Sequence, residues 1–547
     1  MNAYITVLGY WITLVLAYVI IAANSFIFKK ENGDVTTITW KSLVFLFIVL
    51  LLSPSIIVFV PFVILYRQLV HKILAFKCAE NYGGLLNGGD TVHIIENVNE
   101  SKIKVLFMVG YEKNNSKSFY NHVKEKIMTS KITKCAKTSA VFRKSYGYYY
   151  YVKNQVNIED CIKQLTLPGK YTKTEALMEY LEATEDIPFP ENDFGLWDVF
   201  IGTHPVNWKT DVPDKTYYPV LLRFHHSLFD GYHLITTVFG NFSDLKVANG
   251  STPKLQIQTN NVFRRLYMIL RKFCAAVAFP WRVFLIINAN NSSVLCKAKL
   301  QNKKIFSHCL DRNKRYMQVV KEIKQSNGVS FTDVILAAIS SSFSEYILKN
   351  STTDVTYTSI ATPEVPQATD LLISPHQSND TSLICKNVVY FSVRHLPIYK
   401  NINVLERLNL VKNQGGFLKS SYQIMVDYYI FNFLFATFPY VILKKILKRM
   451  RVTAVVTNLP GPPKTTCLSG NILEDILMWS ISKSSTHTGI SIVILTYDGQ
   501  LQISLTVDKA VISCKHDVDS ILSNIYKGLD KLHQEISGNN NSISKRD

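Results

Sequence analysis

Leu221-Leu222-Arg223-Phe224-His225-His226-Ser227-Leu228-Phe229-Asp230-Gly231 joins a buried strand to a helix through a turn that carries two adjacent histidines. The apolar run from Tyr218 to Phe224 predicts the strand, Asp230-Gly231 the turn, and Tyr232 to Phe239 the helix after it. An imidazole at a strand end is held rigidly. Its ordinary pKa of about 6.5 suits it to act as a general base at neutral pH. Asp230, four residues after His226, is placed to fix the loop by a salt bridge or by backbone hydrogen bonds. Gly231 supplies the backbone freedom of the turn. Other readings stand beside this one. In the blandest, the histidines only support the strand end. His225, His226, Asp230 and His233 would make a zinc site, but adjacent strand residues point to opposite faces and no cysteine is near. A triad through Ser227 lacks the Gly-x-Ser-x-Gly elbow, and neighbours on a strand do not easily meet.

Around this motif the composition narrows the class. The 547 residues are 47% hydrophobic and 12% aromatic, with a formal net charge of +19. A chain of that length holds two domains with substantial cores. The excess of positive charge suits acidic lipid headgroups or the phosphates of coenzyme A. Nucleic acid is disfavoured, because no zinc-finger, RNP or basic-helix motif occurs. The 9 cysteines are dispersed without paired spacing, which predicts reduced thiols facing the cytosol.

The chain begins with a membrane-anchor pattern over 1–78. Tyr4 to Phe28 is apolar and ends in Lys29-Lys30. As a helix it would reach roughly 37 Å, enough to span a bilayer. No basic residue precedes it and it is too long for a signal peptide. Leu43 to Tyr66, with Pro54 and Pro61, reads as a second helix or as a re-entrant hairpin turning at Ser53-Pro54-Ser55. Lysines and arginines on both flanks favour the hairpin, with the bulk of the chain cytosolic.

Residues 79–260 alternate strands and helices without repeats. Thr91–Ile95, Ile103–Val109, Tyr148–Val152 and Leu196–Ile201 read as strands; Phe119–Ile127 and Tyr171–Leu181 read as helices. A basic apolar linker helix covers 261–295, with Arg264, Arg265, Arg271, Lys272 and Arg282 between Phe263 and Asn288. It is either an inter-domain helix or an interfacial one. A second α/β region spans 296–538. Ser330 caps a long helix, Asn387–Leu396 and Val452–Thr457 read as strands, and Tyr497-Asp498-Gly499-Gln500 closes a hairpin. Tyr422–Val452, ending in Lys444, Lys445, Lys448, Arg449 and Arg451, reads as a membrane-facing helix or a core helix with a basic end. Val518–Ile536 is a terminal helix, and 539–547 a polar tail, read as disordered.

The spacing His-His-x-x-x-Asp-Gly resembles the signature of the chloramphenicol-acetyltransferase-like superfamily. Within it the chain is similar to the wax ester synthase/diacylglycerol acyltransferases over roughly Glu80 to Ile536. The resemblance rests on Leu196-Trp197-Asp198, the histidine motif, Thr332-Asp333-Val334, Leu396-Pro397, Thr457-Asn458-Leu459-Pro460-Gly461-Pro462 and the hairpin at Tyr497-Asp498-Gly499. Thr332 stands where the family has Asn, and the N-terminal hydrophobic segments lie outside its bacterial pattern. The resemblance implies two similar α/β domains with a tunnel between them and the histidine motif at its middle. It further implies alcoholysis of an acyl-CoA by a fatty alcohol or diacylglycerol, with His226 as base, His225 and Asp230 supporting the loop, and Asn458 and Thr332 as candidate oxyanion donors. Acyl-CoA is then a cosubstrate, with no metal and no permanently bound cofactor, and the enzyme sits on a membrane, the endoplasmic reticulum foremost. A catalytically inactive lipid-binding protein, or an acyltransferase for a sterol, an amine or a small alcohol, are the competing readings.

Overall fold

The strand that delivers the histidines is paired along both edges inside a six-stranded sheet. The computed structural model describes residues 40–95, 101–112, 118–130, 132–167, 173–185, 187–190, 195–209, 215–234, 242–244, 293–296, 299–351, 355–364, 387, 389–399, 402–420, 423–480 and 488–543. The expected span Tyr4–Phe28, the basic segment Phe263–Asn288 and the helix expected past Leu234 lie outside these residues.

The first described element is α1 (Trp40–Cys78), a single helix that runs through Pro54 and Pro61. This overturns the hairpin expected at Ser53-Pro54-Ser55. An internal proline removes one helical hydrogen bond, whereas a reversal in hydrocarbon would leave several peptide groups without partners. There follow β1 (Tyr82–Leu85), α2 (Gly88–Ile94), β2 (Lys102–Glu112), α3 (Phe119–Thr129), β3 (Val141–Ser145), β4 (Tyr148–Val152), β5 (Ile162–Leu165), α4 (Thr174–Ala183), β6 (Trp197–Gly202), β7 (Lys215–His225) and α5 (Gly231–Leu234). The strand expected at Thr91–Ile95 is thus helical. Five residues are too few to separate a period of 2 from one of 3.6, and the cap decides: Asn87 Oδ1 accepts from the Asp90 N–H at 2.6 Å.

The second half supplies β8 (Lys304–Leu310), α6 (Arg315–Asn327), α7 (Phe331–Asn350), β9 (Tyr357–Glu364), β10 (Tyr390–Pro397), α8 (Val404–Ser420), α9 (Gln423–Tyr429), α10 (Tyr440–Leu447), β11 (Ala454–Leu459), β12 (Thr466–Cys467), β13 (Asn471–Ser480), β14 (Ile490–Tyr497), β15 (Gln500–Asp508) and α11 (Lys515–Ile543). A capping box starts α7: Ser330 Oγ accepts from the Asp333 N–H at 3.2 Å, and Asp333 Oδ2 accepts from the Ser330 N–H at 3.0 Å. The hairpin between β14 and β15 turns on Asp498 (φ 50°) and Gly499 (φ 74°), both left-handed as a tight two-residue turn requires. The segment expected as one helix over Tyr422–Val452 is broken. After α9 come a π-helical turn (Ile430–Leu434) and a short α-helical stretch (Phe435–Thr437), and Pro439 stops the run before α10. Met425, Val426, Ile430, Phe431 and Phe435 are buried with Val92 and Tyr390, so this segment is largely core. The terminal helix α11 continues into the residues expected as a disordered tail, as far as Ile543.

Two six-stranded sheets result, in the orders β12-β13-β2-β7-β6-β5 and β10-β9-β11-β14-β15-β8, with a small β1-β4-β3 sheet beside α1. The chain is a mixed α/β protein of two sheet-and-helix lobes. Strand β13 comes from the second half of the sequence but pairs with β2 from Ile472↔Gly110 to Ser480↔Ile103. It also packs on β14 and β15, so one strand joins the lobes. Each lobe has its own apolar core. Leu459, Val493, Leu495 and Tyr497 from the second lobe pack into the core of the first. Helix α7, apolar and long enough to cross a membrane, is instead mostly buried in the second core.

Cys78, Cys161, Cys296, Cys309, Cys467 and Cys514 are free thiols, as expected, whereas Cys135 is disulfide-bonded, against the expectation. Pairing depends on the distance between sulfurs in the fold, which dispersed spacing does not reveal.

Candidate functional site

Strand β7 ends at His225, and the chain then turns tightly: the Leu228 N–H donates to His225 O at 2.9 Å. The two imidazoles separate at this point. His225 is fully buried, while His226 is half-buried. His225 Nδ1 accepts from the Ser227 backbone N–H at 3.2 Å and lies 2.6 Å from Ser227 Oγ. A backbone N–H only donates, so the Nδ1 lone pair is taken and the neutral ring carries its proton on Nε2. The sequence reading set a Ser227–histidine contact aside. The turn brings these two together because the strand has already ended. Ser227 is itself buried, which leaves it as an internal partner of His225.

His226 is held from both halves of the chain. Its N–H donates to Ser101 O at 2.8 Å, and its carbonyl accepts from Asn387 Nδ2 at 2.9 Å. Its ring stacks on His93 of α2, with centroids 3.9 Å apart and an interplanar angle of 6°. Asn387 Nδ2 also reaches Gly89 O at 3.4 Å. Helix α2 and the histidine turn therefore share one amide. Gly88 and Gly89 permit this, since a Cβ at Gly88 would strike Phe431 O and one at Gly89 would strike Asn387 O.

Asp230 fixes the loop through a backbone hydrogen bond, as expected, whereas Gly231 departs from the expectation. Asp230 Oδ1 accepts from the His233 N–H at 2.8 Å and lies 2.8 Å from His233 Nδ1, so the carboxylate caps α5. Gly231 is not in a left-handed conformation. It is required for space, because a Cβ there would collide with Leu459 Cδ2. Arg223 turns to Asp198, the acid of Leu196-Trp197-Asp198, on the neighbouring strand.

Asn458 and Thr332, 126 positions apart, meet: Asn458 Nδ2 donates to Thr332 Oγ1 at 3.3 Å. Leu459, the residue after Asn458, rests on Gly231 of the histidine loop. Beneath His93, buried Asp90 pairs with Lys137 at 2.9 Å. Burial pushes the Asp90 carboxyl up from its ordinary range, against the pull of the Lys137 ammonium. Tyr151, whose hydroxyl is 3.4 Å from Asp90, is pushed up to about 12, again mainly by burial.

The sequence reading missed His93 and Asn387. Asn87, with Asp90 three residues on, is the local signal that marks the start of α2. Asn387 carries no local signal at all. A cavity of about 860 Å³ lies elsewhere, between α4, β8 and α11, lined by Lys104, Phe306, His308, Trp479 and Tyr526 and by none of the histidine-motif residues. A much smaller apolar pocket abuts the motif through Phe224, Leu228 and Phe229.

Residues 386–533 match the WS/DGAT C-terminal domain. The fold is shared with the wax ester synthase/diacylglycerol acyltransferase from Marinobacter aquaeolei VT8, at a TM-score of 0.54 and 14% identity, over 83% of this chain and 100% of that one. It is shared with the trichothecene 15-O-acetyltransferase of Fusarium sporotrichioides, at a TM-score of 0.56 and 11% identity, over 82% and 94%. A starter condensation domain of rhizomide synthetase, solved in complex with C8-CoA, matches at a TM-score of 0.51 and 10% identity, over 82% and 94%. No curated protein matches the chain in sequence.

Proposed function

We propose, for a chain whose residues 386–533 are a WS/DGAT C-terminal domain on a two-lobed acyltransferase-like fold, that it transfers a fatty acyl group from acyl-CoA to the hydroxyl of a long-chain alcohol or a diacylglycerol. The observation that carries this reading is the half-buried His226, held by backbone of the first lobe and by Asn387 of the second. A base at the junction of two lobes can meet two reactants arriving from different sides.

In this reaction His226 takes the proton of the acceptor hydroxyl, and the oxygen attacks the thioester carbonyl. The tetrahedral intermediate collapses with cleavage of the C–S bond, and His226 returns the proton to the departing sulfur. A thiol of pKa about 8.5 is a competent leaving group, so neither a metal nor a covalent acyl-enzyme is needed. Asn458 and Thr332 are the candidate donors to the oxyanion, worth about 3 kcal/mol per well-placed bond. His225, with Nδ1 engaged by Ser227, and Asp230, capping α5, support the loop. A passage between the lobes would bring the acyl chain to the base.

The lipid substrates point to a bilayer. Helix α1 is held through Arg67, whose Nη2 donates to Leu86 O at 3.3 Å in the first half of the chain and whose Nε donates to Ala436 O at 2.8 Å in the second. It leaves Phe59 (54%), Phe62 (64%) and Leu65 (65%) exposed along one side. With the basic residues of Lys444–Arg451 this fits an anionic membrane, that of the endoplasmic reticulum first, with the lobes cytosolic. The sequons at Asn99 and Asn241 then stay unglycosylated; a glycosidase-sensitive mass shift on either places the lobes in the lumen.

A small alcohol is the second reading, because the fold is shared with an acetyltransferase named for a trichothecene. The test is ester formation from labelled acyl-CoA by membranes containing the expressed protein, with fatty alcohol, diacylglycerol, sterol and small alcohols as acceptors. His226→Ala at normal expression is expected to abolish the product. Undiminished turnover would remove His226 as base.

A further inference from the structure

Resting on that reading, we infer that His93 is a positioning residue for the His226 base: its ring is the flat surface that fixes the plane of the catalytic imidazole. The stack is close and parallel, 3.9 Å between centroids at 6°. On the other side of His93 lies Phe391, at 6.2 Å and 57°, in the cluster that holds Phe431. His93 is buried, and its own backbone is immobilised. Asn87 caps α2, Gly88 and Gly89 press on Phe431 and Asn387, and Asn387 bonds both α2 and the carbonyl of His226. One rigid unit therefore positions the backbone and the ring of the base together.

The consequence is orientational. The torsion of an imidazole about its Cβ–Cγ bond is soft, so an unsupported ring samples a wide range of planes. Proton abstraction requires the acceptor hydroxyl on the ring nitrogen's axis, and small misplacements of a reacting group cost up to about a hundredfold in rate. A stacked planar partner removes that freedom without consuming either ring nitrogen. An aromatic side chain supplies such a face, and a branched aliphatic one of similar bulk does not.

The experiment compares His93→Phe, His93→Leu and His93→Ala in membranes, measuring kcat and KM for acyl-CoA and acceptor, with His226→Ala alongside. His93→Leu is expected to lower kcat by about ten- to a hundredfold with KM changed less than about twofold, and His93→Phe to stay within about threefold of the parent. Phe and Leu both fill the buried site, so their difference reports the flat face even if His93→Ala fails to accumulate. Equal kcat for His93→Leu and the parent, or equal losses in Phe and Leu, would overturn the inference while an inactive His226→Ala keeps the base assignment. An active His226→Ala would remove both.

Discussion

Arg223 and Asp198 form a two-pronged ion pair with both side chains fully buried, Nε to Oδ1 at 2.8 Å and Nη2 to Oδ2 at 2.5 Å. They sit opposite each other on β7 and β6, two residues before the first histidine. The Arg223 guanidinium also donates to Ile187 O at 2.9 Å and lies over the Phe200 ring at 4.9 Å. A buried pair broken on one side leaves an uncompensated charge, so Asp198→Asn is expected to cost about 3–5 kcal/mol in denaturant unfolding. Arg223→Lys is expected to lose nearly as much, because an ammonium cannot reproduce the fork. Full stability of the lysine variant would show that charge alone matters here.

Gly231 and Leu459 make the second tight junction near the motif. Gly231→Ala places a methyl against Leu459 Cδ2 and is expected to destabilise by about 1–3 kcal/mol. Because the clash is with a side chain, Gly231→Ala/Leu459→Ala should be less unstable than the sum of the two single variants. Additive losses would move the cause from Leu459 to the backbone.

Asn458 and Thr332 are joined at 3.3 Å, which makes them one unit in any oxyanion role. Asn458→Ala is expected to reduce kcat by about 10²–10³ with little change in KM. Adding Thr332→Ala should cost less than it does alone. Independent effects in the double-mutant cycle would separate the two residues, and unchanged kcat would assign the oxyanion to other donors.

Asp508 supplies a pH dependence. Its carboxylate is buried against Lys304 Nζ at 2.9 Å and accepts from the N–H groups of Gln301, Asn302 and Ala510 at 3.0, 2.9 and 2.9 Å. Burial alone would raise its pKa, but these donors and the ammonium outweigh it and hold the group below the ordinary carboxylate value. A pKa lowered on folding stabilises the fold above the unfolded value of about 3.9 and is lost as pH falls through the folded value. The stability gap between the parent and Asp508→Asn should therefore be constant near neutrality and shrink as pH drops below about 4. A gap that stays constant to pH 3 would contradict this.

Much of the framework was legible. The capping box at Ser330, the turn at Asp498-Gly499 and the apolar runs of β2, β7 and β14 are set by residues within a few positions of one another. Local errors came where local signals were thin. Thr91–Ile95 is too short for periodicity to decide, and Pro54 and Pro61 suggested a turn where a long helix continues.

By itself the sequence determined the strand, the turn and the paired imidazoles, because propensity and alternation act between near neighbours. Only tertiary packing decided that β13 completes the first sheet and that His93 lies flat on His226, with Asn387 bonding the turn from 161 positions away. Those contacts arise when two lobes bury their apolar faces against each other, and no spacing along the chain records which side chains then meet.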